Sequence, residues 1–107
     1  MPLAPETRSV LAALSDPTRV TIFDALSRSP ASITTLSRDL PITRQATTKH
    51  LAVLETVGLV RSQRVGRQTV YEAVTAPLEP AVADLSESVS TWTSQLALLK
   101  RVAEAQP

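Results

Sequence analysis

Residues Ser32 to Leu40 (SITTLSRDL) and Thr43 to Val57 (TRQATTKHLAVLETV) form two amphipathic stretches joined only by the corner Leu40-Pro41-Ile42. A joint of about three residues forces two helices to pack across each other, so this pairing constrains the fold more than any other feature. In the first stretch Ser32 is placed to cap, with Ile33, Leu36 and Leu40 on one side. In the second, Thr43 is the N-cap, Ala46, Leu51, Leu54 and Val57 mark the buried side, and Gly58 is the C′ residue that ends the helix. Many such corners use Gly where a left-handed backbone is needed, but Pro41 has φ fixed near −65°. Either a neighbouring residue makes the bend or the turn has another geometry.

Opposite the buried side, Arg44, Gln45, Thr48 and Lys49 project from the first two turns, beside the capping Thr43. Arg and Lys donate to guanine O6 and N7, Gln pairs with adenine, and Thr can donate, accept or pack its methyl on thymine. These five residues are therefore the candidates for reading bases in a major groove, although a polar outward face is most often only a solvated one. The stretch that follows favours the first reading. LVRSQRV, Gly66-Arg67 and QTVYEAV are two β-branched-rich runs around a two-residue turn, a hairpin carrying Arg61, Arg64 and Arg67. Helix, turn, helix and basic hairpin together make a winged helix. The three arginines are candidates for DNA phosphates, with Tyr71, Thr69 and Ala73 alternating inward beneath them.

The net charge of +1 is unremarkable for a nucleic-acid partner until it is divided along the chain. From Pro41 to Tyr71, Arg44, Lys49, Arg61, Arg64 and Arg67 face the single acid Glu55, whereas Lys100 and Arg101 are outnumbered after Tyr71 by Glu72, Glu79, Asp84, Glu87 and Glu104. Positive charge is concentrated on the motif. There is no cysteine and one histidine, His50, so neither a thiolate metal site nor a catalytic cluster can be assembled, and no enzyme activity, cofactor or metal is expected. His50 lies at the border of the buried face, as a core-edge side chain or a phosphate donor. The 107 residues suit one domain, and the sequence shows neither a secretory leader pattern nor an apolar run long enough to span a bilayer, so a cytoplasmic location is expected.

Two flanking helices complete the expectation. Glu6 to Leu14 carries a stripe of Thr7, Val10, Leu11 and Leu14; Asp16-Pro17 then reads as N-cap and N1 of a helix whose core face is Val20, Phe23 and Leu26, with Arg19 bracing a nearby carboxylate in preference to touching phosphate. Near the C-terminus, Leu78, Val82, Leu85, Val89, Trp92, Leu96 and Leu99 alternate spacings of four and three, a heptad seam that wants a partner helix, although part of it can instead cover the same subunit's core. Residues 78–103 are thus expected to be a dimerisation helix of a homodimer, with Val10 and Leu14 alongside.

In order and spacing, Asp16-Pro17-Thr18-Arg19, Thr43-Arg44-Gln45-Ala46, Lys49-His50-Leu51, Leu54-Glu55, Gly58-Leu59-Val60 and Val70-Tyr71 resemble the ArsR-type winged-helix transcriptional regulators over nearly the whole chain. The resemblance implies a mainly α winged helix-turn-helix with a two-stranded β-hairpin wing and dimerisation helices at both ends. It also implies a cytoplasmic homodimer that binds double-stranded operator DNA, mostly as a repressor, with His50 on a phosphate. Metal-sensing relatives carry Cys on the helix matching Ile33 to Asp39, or acids and His on the last helix, and neither set is present. That leaves an unidentified small-molecule or protein effector as the signal. The competing function is a winged-helix protein-interaction module without sequence-specific DNA binding.

Overall fold

A computed structural model describes residues 3–105. In chain order the elements are α1 (Pro5–Ala13), α2 (Pro17–Arg28), β1 (Ala31–Ser32), α3 (Ile33–Asp39), α4 (Arg44–Thr56), β2 (Val60–Val65), β3 (Gln68–Ala73) and α5 (Leu78–Glu104). The expected mainly helical winged helix-turn-helix is present.

Local chemistry sets the boundaries. The Asp16 carboxylate accepts from the amides of Thr18 at 2.8 Å and Arg19 at 3.2 Å, and Pro17 occupies the first helical position, where no amide is needed. Ser32 and Thr43 cap α3 and α4 by accepting from Thr35 and Ala46. At the corner between them the Ile42 amide bonds the Leu40 carbonyl at 2.8 Å, and no non-glycine described residue has positive φ. The bend is therefore made around Pro41 by a tight turn that needs no left-handed residue. At the end of α4, Leu59 N–H bonds Leu54 O and Gly58 N–H bonds Glu55 O, with Gly58 at φ 81°, the paired closure of a Schellman motif.

Ile22, Leu26, Leu36, Leu51, Leu54, Leu59 and Val60 form the core between α2, α3, α4 and the sheet. On α2 the sequence expectation needs correcting, because Ile22 is buried while Val20 is 44% exposed and Phe23 only partly covered. The inward stripe is Arg19, Ile22 and Leu26. It was disguised by a charged residue whose head finds backbone partners inside. On α1 the inward residues are Thr7, Val10 and Ala13, with Leu11 outside and Leu14 partly covered at the helix end. On α4 the buried residues are Thr47, Leu51 and Leu54, whereas Ala46 and Val57 are only partly covered.

The sheet has three strands in the order β1-β3-β2, not two, because Ala31 and Ser32 pair with Tyr71 and Val70 of β3. Two residues are too few to show the alternation that marks a strand in sequence. In the hairpin, Val65 opposite Gln68 leaves Gly66-Arg67 as a two-residue turn, and Gly66 at φ 62° supplies the positive φ such a turn requires at its first position. Tyr71 is partly buried against the core, but β3 is half-covered on both faces from Thr69 to Ala73, so the simple inward alternation is absent.

α5 has 27 residues, about 40 Å at the usual rise per residue, and gives the molecule extents of 72 × 25 × 20 Å. Only its first half is covered. Ala81 and Ser88 are buried and α1 packs alongside, pinned where the Ala4 amide donates to Asp84 Oδ2 at 2.9 Å. That amide, and after it the Thr7 hydroxyl, holds the Asp84 carboxyl below its ordinary pKa. Among the described residues no helix is long and apolar enough to cross a membrane.

Candidate nucleic-acid interface

α4 owes its two-sidedness to its inner anchor. Thr47 Oγ1 donates to the Thr43 carbonyl at 2.8 Å and lies 3.3 Å from Ser37 Oγ of α3, so the pair of helices is locked by hydroxyls as well as by Leu36, Leu51 and Leu54. With that side fixed, Arg44, Gln45, Thr48 and Lys49 are exposed together and border one shallow, open depression on the outer face. Thr43 is exposed at the helix start with its hydroxyl engaged by the Ala46 amide. Thr48 Oγ1 donates to the Arg44 carbonyl at 2.8 Å, so outward it offers lone pairs and a methyl group. Arg44 Nη1 donates to Thr34 Oγ1 of α3 at 2.7 Å, which steadies the guanidinium and leaves its remaining N–H groups free to donate.

The wing approaches the same region. Arg67, Gln68 and Thr69 share with Thr34 and Arg44 a cleft of about 260 Å³ between the hairpin tip and the starts of α3 and α4. Two guanidinium groups from different elements thus border one cleft, the arrangement a phosphate backbone can follow from groove to wing. Arg64 and Arg67 form no ion pair among the described residues.

Comparison with known proteins agrees with this geometry. Residues 14–63 match a helix-turn-helix domain family. The HTH-type transcriptional regulator Rv2034 of Mycobacterium tuberculosis is 37% identical over 84 residues, which cover 78% of this chain and 76% of the relative. An ArsR-like transcriptional regulator from Rhodococcus sp. RHA1 superposes with a TM-score of 0.79 at 42% identity, covering 94% of this chain and 95% of that one. The chain belongs to the ArsR family of winged helix-turn-helix regulators. The homodimeric winged helix-turn-helix domain Mb0332 of Mycobacterium bovis, at 21% identity and a TM-score of 0.63 with 80% and 78% of the chains covered, adds a likeness of fold alone.

Within this ArsR-family DNA-binding regulator, two candidate residues have structural partners that sequence could not reveal. Arg61 stands opposite Glu72 in the hairpin register and is ion-paired with it, so its charge is already met. Its neighbour Ser62, on the other face, donates to Glu55 Oε2 of α4 at 3.1 Å. Arg64 shares that α4-facing side by strand alternation, which separates it from Arg61. His50 is half-buried with Nδ1 3.4 Å from Arg19 Nη1. A guanidinium only donates, so this contact is a hydrogen bond in the neutral tautomer that carries its proton on Nε2.

Arg19 itself is the residue whose importance the sequence understated. It was expected to brace a carboxylate, and Asp16 lies 3.9 Å away, but the closer partners are the Ala13 carbonyl at 2.6 Å and the Ala12 carbonyl at 3.3 Å, which close the end of α1. One side chain therefore ties α1, the start of α2 and the middle of α4 together. Asp16 is held below its ordinary pKa, first by the Arg19 amide, with the Thr18 amide and the His50 and Arg19 charges adding to it against partial desolvation. Among the described residues no three His, Cys, Asp or Glu side chains gather as a metal site.

The expected interface residues divide. Val10 is turned into its own subunit's core against α5 and is only 4% exposed. Leu14 and Leu78 are partly covered by that core, and Leu85 is half-buried. Val82, Val89, Trp92, Leu96 and Leu99 remain exposed, with Val82, Leu96 and Leu99 at 64%, 65% and 63%.

Proposed function

We propose that the protein acts as a homodimeric repressor that recognises a pseudo-palindromic operator, with residues Arg44, Gln45, Thr48 and Lys49 reading base edges and Thr43 at the groove-facing helix start. The observation that carries this reading is the exposure of four adjacent hydrogen-bonding side chains on the first two turns of a helix whose other side is locked by Thr47, Leu51 and Leu54. Arg64 and Arg67 grip phosphate. Arg61 contributes little because Glu72 neutralises it, and His50 serves to position α4 through Arg19 rather than to hold phosphate. No bond-making chemistry belongs to this function.

Residues 78–103 supply the dimer contact through the exposed seam, which sets two recognition helices facing successive major grooves roughly 34 Å apart. Selection of bound duplexes from a random pool tests the proposal: a palindrome with half-sites one helical turn apart is expected. Arg44→Ala or Gln45→Ala should then cost about 1–3 kcal/mol on the selected site and relax its sequence preference. Binding of every duplex alike, or of none at moderate salt by a folded dimer, would replace the regulator reading with that of a protein-interaction module.

A further inference from the structure

A cavity of about 460 Å³ lies where α1, the end of α4 and the start of α5 meet, walled by Val10, Val57, Pro77, Pro80 and Ala81. Its size falls within the range of small-molecule pockets, and its lining is mainly apolar. Its polar rim is one-sided in chemistry. Ser9 Oγ donates to the Pro5 carbonyl at 3.0 Å and Thr56 Oγ1 to the Ala52 carbonyl at 2.8 Å. These two rim hydroxyls have thus spent their protons inside the fold and offer only lone pairs outward. The one charged group at the rim is Glu6, exposed and without an ion pair among the described residues. Acceptors and a negative charge around apolar walls suit a ligand that donates, and disfavour an anion.

The position of the cavity matters as much as its chemistry. On α5 the cavity wall runs from Pro77 and Pro80 round to Ala81, and Ala81 stands in line with Leu99, about five full turns further on, so the cavity borders one edge of the exposed seam. Its three walls belong to the helix proposed to dimerise, the helix that pins it, and the last turn of the helix proposed to read DNA. Gly58 follows that turn in a left-handed conformation, and a Cβ added there would touch Pro77 at 3.5 Å, so the α4 terminus and the α5 start are in close register. A body lodged between them bears directly on the angle between α4 and α5.

From this geometry we infer that the cavity is an effector site for a small apolar amine, which binds with its ring or alkyl body against Val10, Val57 and Ala81 and its ammonium at Glu6, and thereby changes operator affinity. The regulatory half rests on the proposed DNA-binding function; the binding half does not. Amide shifts followed by NMR on the full chain, without DNA, read the binding half with three probes of one size: 1-naphthylmethylamine, 1-naphthalenemethanol and 1-naphthoate. The amine should bind saturably and shift Val10, Val57 and Ala81, the alcohol should bind more weakly and the carboxylate least. Glu6→Gln should weaken the amine about two- to fivefold and leave the alcohol unchanged. Thr56→Trp and Ser9→Trp fill the cavity from two different walls, and both should abolish binding while the chain stays folded and binds duplex.

Absence of saturable binding, equal binding of all three probes, or amine binding that survives both plugged variants would each overturn the site. In a duplex titration, saturating amine should alter operator affinity by fivefold or more, with a reciprocal effect of duplex on amine affinity. Amine binding with unchanged duplex affinity overturns the regulatory half. Failure of duplex binding alone counts against the proposed function and is seen before any amine is added.

Discussion

α4 and the second half of α5 are both amphipathic helices with one face left open, and the open faces are of opposite kinds. On α4 the apolar side is closed by α2, α3 and the sheet, and what remains outside is Arg44, Gln45, Thr48 and Lys49. On α5 beyond Ser88 no side chain is buried, and Val89, Trp92, Leu96, Leu98, Leu99 and Val102 are exposed. A polar open face fits a hydrated, charged partner such as a DNA groove, while an apolar one fits a surface of its own chemistry, most simply the same helix of a second copy. The two halves are therefore incomplete in different ways.

Core and seam respond differently to damage if this contrast is right. Ile22→Ala or Leu51→Ala should cost about 2–5 kcal/mol through the cavity left in the core, and urea unfolding should show the loss at every protein concentration. Val89→Glu or Leu96→Glu should instead abolish the dimer in sedimentation, shift Trp92 emission toward that of an exposed indole, and leave a melting temperature that no longer rises with concentration. A wild-type chain that sediments as a stable monomer at micromolar concentration would break the comparison at its root.

Smaller effects sharpen it. Thr47→Val removes the hydroxyl that links α4 to Ser37 and to the Thr43 carbonyl, and should destabilise the chain by about 1 kcal/mol in denaturant while leaving dimerisation intact. On the wing, Arg64→Ala or Arg67→Ala should each lower the slope of log affinity against log salt by about one unit per contact removed, about two for the dimer. Arg61→Ala should change it least, since Glu72 already meets that charge. The smallest effect is one of pH. Asp16 and Asp84 have lowered pKa values, so their contribution to stability is present at neutral pH and is lost as pH falls below the ordinary 3.8. Asp84→Asn should flatten that acid limb for the docking of α1 on α5, followed by hydrogen exchange of α1 amides.

Much of this architecture was legible because local chemistry announced it. Asp16, Ser32 and Thr43 cap where their oxygens predicted, and Gly58 and Gly66 take the left-handed positions that their neighbours could not. The order of caps, helices and hairpin was enough for the family. What stayed hidden involved polar residues turned inward. Arg19 and Thr47 occupy buried stripes, at spacings of three and four from Ile22 and Leu51, but an apolar-only reading passed them over in favour of Val20 and Ala46. Arg61 looked like a free charge because its partner Glu72 is eleven residues away and only the strand register brings them together. The seam is visible as a period, yet a period cannot say which part is covered by the same subunit, and Leu78 and Leu85 turn out to be partly covered while the rest stays open.

If the long open seam of α5 is the dimer contact, abundance becomes a variable in its own right. Two chains must meet before one operator with two half-sites can be held, so at low concentration the occupied fraction follows the square of the amount of protein rather than the amount itself. A cell that halves its supply of this chain, by dilution at division or by slower synthesis, reduces occupancy about fourfold in that regime. Turnover of the protein then acts on occupancy more steeply than in proportion, even before any ligand is present.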